Sequence, residues 1–156
     1  MMTITNEVDI SSYLRARKEL LAERVRKGMA EAAAEGRPTG IARLGYIRVQ
    51  GGTDDLDPTR KGAILQAFHL ALAPTSSLRG MVRELASVGL IGTRGDVITL
   101  SSLRHMLRDP YYAGLVRYKG FLRNGCHPVY VTLAEFNLIQ QNMGWLENQI
   151  EHPYQE

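Results

Sequence analysis

The stretch TLSSLRHMLRDPYYAG, Thr99 to Gly114, decides how the chain is read. Leu100, Leu103, Met106 and Leu107 recur at helical spacing, so one stripe of a short helix is apolar. The opposite face carries Ser101, Ser102, Arg104, His105 and Arg108, with no carboxylate before Asp109. Thr99 is placed to cap the helix start, and Pro110 ends the pattern. A face that offers hydroxyl and cation but no acid suits a polyanion.

Two more helices are predicted just upstream. Asp57-Pro58 supplies an N-cap and a first-position proline for a helix running to about Ala73, with Ile64, Leu65, Phe68 and Leu72 inward. Ser76 or Ser77 starts the next, with Leu78, Met81, Val82 and Leu85 inward and Gly89 beyond its end. LIGTRGD joins that helix to the one at Leu100 as a loop or tight turn. Two short amphipathic helices with a third packed across them outline a helix-turn-helix, here of a winged or elongated kind because the connector is long. In such a unit the second helix enters the major groove. Arg104 then has the bidentate geometry for guanine, while Ser101, Ser102 and His105 reach bases or phosphates and Arg108 meets a phosphate. The same pattern equally describes an ordinary surface helix of a small α+β domain.

Working outward, Tyr46 to Val49 alternates as a strand does, GGTDD reads as a turn and Leu56 begins a return strand. After Pro110, Leu115–Tyr118 and Val129–Val131 are two further strand-like runs. Thr132 caps a last helix with Leu133, Phe136, Ile139 and Trp145 turned inward. At the other end, residues 1–12 read as a loose lead-in. Residues 13–35 read as a helix whose apolar stripe is thin: Leu14, Leu21, Val25, Met29, Ala32. GRPTGIARLGY follows as an extended connection carrying Arg37, Thr39 and Arg43. It is either a plain linker or a slim segment able to follow a minor groove. The expected fold is α+β and mainly helical, with a helix-turn-helix-like core, a small antiparallel sheet and a long N-terminal helix. The expected organisation is lead-in 1–12, linker helix 13–35, DNA-binding domain 36–144 and C-terminal tail 145–156.

Composition bounds the function. The 156 residues are 44% hydrophobic, enough for one core. The net charge is only +3, but Leu14 to Gln50 holds nine bases against four acids. A basic segment on a near-neutral body fits a polyanionic partner or a solvated helix. Cys126 is the only cysteine, so no internal disulfide and no CxxC zinc pair is available. No apolar leader and no run long enough to span a bilayer is visible, and a cytoplasmic protein without membrane association is expected. His69 is expected partly buried, His127 a loop residue, and Tyr111 and Tyr112 packing residues at the domain edge. No P-loop, Rossmann, GxSxG or HExxH signature is present, and neither cofactor nor metal is expected.

Taken in order, these pieces resemble the recombinase domain of the large serine recombinases, the phage-integrase and transposon-resolvase group. ERVRKGMAEAAAEG is similar to the end of that family's long helix, and GRPTGIARLGY to its glycine-rich connection ending in Gly-Tyr. Arg43 stands where the family usually has proline. ILQAFHLAL and SLRGMVRELASVGL resemble the next two helices. Leu107, Asp109, Pro110, Tyr111–Tyr112 and Gly114 match the most specific pattern, and HPVYVTLAEFNLIQ resembles the segment leading toward a zinc ribbon. The resemblance implies sequence-specific binding of double-stranded DNA at an attachment-type site, for integration or excision. These residues hold neither the serine-nucleophile domain nor the cysteine ribbon, so no strand cleavage is expected from them. Arg24 and Lys27, on a first helix crossing the backbone, complete the nominated DNA-binding set. Self-association through that helix or flanking domains is a further expectation. The alternative is a helical protein-interaction or dimerisation module with no nucleic-acid role.

Overall fold

A computed structural model describes residues 5–151, with side chains from Asp9 onward. Five α-helices and two antiparallel hairpins follow one another: α1 Thr5–Ala34, β1 Tyr46–Arg48, β2 Asp54–Leu56, α2 Lys61–Leu72, α3 Leu78–Ser87, α4 Leu100–Arg108, β3 Leu115–Tyr118, β4 Phe121–Asn124 and α5 Leu133–Asn142. Single 3-10 turns span Pro110–Ala113 and Leu146–Asn148.

The three core helices that begin on a hydroxyl do so for the same reason. Ser77 accepts from the Gly80 amide at 3.1 Å, Thr99 from Ser102 at 3.1 Å and Thr132 from Glu135 at 3.2 Å. Each bond satisfies a first-turn N–H that has no intrahelical partner. At Thr132 the Glu135 carboxylate reaches back to the Thr132 amide, completing a capping box. The helix after Asp57 starts later than its sequence suggests. Asp57 instead closes a turn, accepting from the Thr59 amide and hydroxyl and from Arg60, and α2 begins at Lys61.

The core lies where α2, α3, α4 and α5 meet. Ile64, Leu85, Leu103, Leu107, Phe136 and Ile139 are completely buried. Each such side chain contributes about 1.5–3 kcal/mol of burial. Leu65 and His69 face outward, on the side of α2 away from this core. Tyr111 and Tyr112, expected at the edge, are instead central. With Tyr46 and Tyr130 they form a ring cluster whose centroids lie 5.0–5.9 Å apart. Tyr46 donates to the Pro128 carbonyl, Tyr112 to that of Leu44 and Tyr130 to that of Gly45, which seats the 36–45 connection on the body. Gly45 has φ +87°, and a Cβ there would lie 2.9 Å from Ile64 and 3.0 Å from the Tyr130 hydroxyl. Only glycine fits.

Three further boundaries depart from the sequence reading. α1 reaches back to Thr5, so the lead-in is helical over residues 5–12, while 1–4 lie outside the described residues. Nothing in that segment breaks a helix: its residues include no proline or glycine. The partner of β3 is Phe121–Asn124, not Val129–Val131. Lys119 and Gly120 both have positive φ, forming a two-residue turn that brings the nearer segment into register first. Finally, residues 145–150 are not a separate tail. Asn148 donates to the Arg108 carbonyl and to Gln140, and Ile150 donates to Asn137. Of the tail, 152–156 lie outside the described residues.

Candidate nucleic-acid interface

α3 and α4 are joined by a miniature hairpin closed by an Ile91–Val97 bridge, with the Gly92 amide donating to the Asp96 carbonyl at 2.7 Å. This projecting connector is why the unit is longer than a tight helix-turn-helix. α4 turns Leu103, Met106 and Leu107 into the core and leaves Ser101, Ser102, Arg104 and His105 exposed. Ser102 also accepts from the Thr99 hydroxyl at 2.9 Å, so part of its hydrogen-bonding capacity serves the cap.

The connection between α1 and β1 comes to the same side of the molecule. Arg43, Leu44, Thr93, Ser102, His105 and Asp109 border a depression of about 260 Å³. It therefore joins the connection, the miniature hairpin and the outward face of α4. At the apex of the connection Ile41 is 91% exposed, beside Gly40. Thr39 is half-buried in the same segment.

The nominated arginines divide into free and committed. Arg104 has no hydrogen-bond or ion-pair partner among the described residues. Arg43, nominated for the groove, is committed to the fold. Its Nε lies 2.6 Å from Asp109 Oδ2 and its guanidinium 4.0 Å over the Tyr111 ring. Asp109 is held from both sides, since its other oxygen accepts from the Tyr111 amide. Arg108, nominated for a phosphate, pairs with Glu147 at 2.9 Å and lies 5.5 Å over Trp145. Arg37 pairs with Glu35 at 2.6 Å. Arg24 and Lys27 lie on the solvent-exposed length of α1. That helix meets the body toward its end, where Ala32 and Ala33 are buried and Tyr118 donates to the Arg26 carbonyl.

Two buried features escaped the sequence reading. Asp54 is 2% exposed and accepts from the Tyr111 hydroxyl at 2.7 Å and from Arg48. His127 stacks on Tyr111 with centroids 3.6 Å apart, opposite Arg43. Its Nε2 lies 2.6 Å from the Tyr111 carbonyl, so that nitrogen carries the proton, and Nδ1 is buried without a partner among the described residues. Burial holds the imidazole below its ordinary value, partly offset by that carbonyl. Burial likewise raises the phenols of Tyr46, Tyr111 and Tyr112, and pushes Tyr130 up to about 12. No side-chain cluster with the makings of a metal site occurs among the described residues.

Comparison with known proteins places the architecture. A family model described as Recombinase matches residues 58–144, more than half of the chain. A structure from work on sequence requirements of the Listeria innocua prophage attP site superposes with TM-score 0.64 at 18% identity, over 78% of this chain and 51% of that one. A crystal structure of an LSR–DNA complex superposes with TM-score 0.65 at 17% identity, over 80% and 42%. The chain thus spans about half the length of these structural neighbours or less. Among curated proteins none matches.

Proposed function

The chain belongs to the recombinase family, and we propose that it binds double-stranded DNA sequence-specifically, as the DNA-holding part of a site-specific serine recombinase. The observation that carries this reading is a shared surface. The acid-free exposed face of α4 and the glycine-rich connection border one depression. α4 lies in the major groove, where Arg104 reads a base edge and Ser101, Ser102 and His105 contact bases or phosphates. The 36–45 connection follows the adjacent minor groove, with Thr39 beside the backbone and Ile41 at the groove floor. Arg24 and Lys27 on α1 face phosphates where that helix crosses the strand.

The reading gives strand cleavage to another part of the recombinase. The two tyrosines after Pro110 donate their hydroxyls inward, to Asp54 and to the Leu44 carbonyl, and burial keeps both protonated. A cytoplasmic setting follows from the DNA partner. Among the described residues no helix is long and apolar enough to cross a membrane.

A second reading has its own support. Ile10, Leu14, Leu21 and Val25 on α1 are each more than half exposed. An apolar stripe left open in this way suits pairing with a second copy or with a neighbouring domain.

Selection from a randomised duplex library, followed by anisotropy titration over a salt series, tests the main reading. A recovered consensus and an affinity that falls steeply with salt are expected. Arg104→Ala should cost about 1–3 kcal/mol at one position of that consensus and relax the choice there. Binding that ignores both sequence and salt would leave only the interaction-module reading.

A further inference from the structure

The C-terminal end of α4 and strand β3 enclose a second trough, of about 480 Å³, that the sequence reading did not foresee. Three guanidinium groups border it: Arg104 and Arg108 from the helix and Arg117 from the strand. Arg117 is exposed and, like Arg104, has no hydrogen-bond or ion-pair partner among the described residues. Asp109 also borders the trough, but its charge is already matched by Arg43 at 2.6 Å. Among the described residues the one carboxylate bonded to these three arginines is Glu147, two-thirds exposed and 2.9 Å from Arg108.

A helix C-terminus ordinarily repels an anion, because its last carbonyls point there unpaired. Here the last three are occupied. The Asp109 amide donates to the Met106 carbonyl, Gln140 to that of Leu107 and Asn148 to that of Arg108. The cations therefore set the local potential. Guanidinium forks arriving from two elements suit the tetrahedral oxygens of a phosphate.

We propose that Arg117, with Arg108, seats one phosphodiester of the DNA backbone beside the base-reading Arg104, and that the phosphate displaces Glu147 from Arg108. This rests on the DNA-binding reading above and adds to it a contact that is blind to sequence. It also assigns the short turn at Leu146–Asn148 a role. That turn keeps Arg108 preset on Trp145 in the free protein and yields it when a stronger anion arrives.

The test uses the full chain, the selected duplex and a random duplex, each titrated by anisotropy over a salt series. Arg117→Ala is expected to weaken both duplexes by the same factor, about 5- to 10-fold, and to lower the salt slope by about one. Glu147→Gln is expected to tighten both, because it removes the competing carboxylate. Trp145, the only tryptophan, should change its emission as DNA draws Arg108 away. A methylphosphonate scan of the selected duplex should find one neutralised phosphate whose loss is no longer additive with Arg117→Ala. Inorganic phosphate at the same ionic strength should not reproduce the emission change; if it does, a free-anion site replaces the backbone seat. If wild type binds selectively while Arg117→Ala matches it, or loses affinity at one base only, the seat is wrong and the DNA reading stands. If wild type binds neither duplex, the DNA reading itself fails and takes the seat with it.

Discussion

Arg43→Ala separates folding from recognition. The side chain makes two contacts: the ion pair with Asp109 at 2.6 Å and the stack on Tyr111 at 4.0 Å. Both partners of the pair are about 30% exposed, so water screens it, and a value of about 0.2–1 kcal/mol applies. The cation–π contact adds about 0.5–1 kcal/mol. Asp109 is not stranded by the change, because it still accepts from the Tyr111 amide. The expected loss is therefore roughly 1–2 kcal/mol, which for a chain of this length lowers Tm by roughly 2–8 °C. Urea melts followed by circular dichroism measure it, and an unchanged m-value shows that only stability moved. A double-mutant cycle with Asp109→Asn should return about half of the loss as coupling. DNA affinity measured well below the melting range should keep the wild-type sequence preference. A variant that melts like wild type but loses discrimination at one base step would refute this reasoning and return Arg43 to the groove.

Three further outcomes follow from the buried cluster. Tyr111→Phe leaves one oxygen of the buried Asp54 carboxylate without its donor and should cost about 1.5–3 kcal/mol in the same urea assay. His127 is held below its unfolded value of 6.5, so the unfolded chain binds the proton more readily. Its contribution to stability is full above pH 6.5 and declines as pH falls toward the lower folded value. Melts between pH 7.5 and 5 should show that decline, and a neutral aromatic at position 127 should flatten it. Gly45→Ala places a side chain at φ +87° against Ile64 and Tyr130, and should cost at least about 1–2 kcal/mol from backbone strain alone, read as a lower Tm.

Much of the helical core was legible. Thr99 and Thr132 announce their helices, and Ser76 or Ser77 a third that Ser77 caps, because a cap bonds to an amide three residues away, and that relation lies within the sequence window. The amphipathic period of α4 likewise separated Leu103, Met106 and Leu107 from Ser101, Arg104 and His105. Val129–Val131 misled because alternation alone is silent about pairing. A two-residue turn at Lys119-Gly120 gives β3 a closer partner, and a short loop costs less entropy to close.

What the sequence determined by itself is the set of helices, the face each turns inward, and the hydroxyl-and-cation surface of α4. These depend on relations within about one helical turn. Which arginines are free to meet a partner was decided only in three dimensions. Arg43 is engaged by a carboxylate 66 residues away and Arg108 by one 39 away, while Arg104 and Arg117 meet no such partner among the described residues. A charge is neutralised by whatever lies within a few ångströms, and for these side chains the chain's long-range folding alone brings that neighbour close.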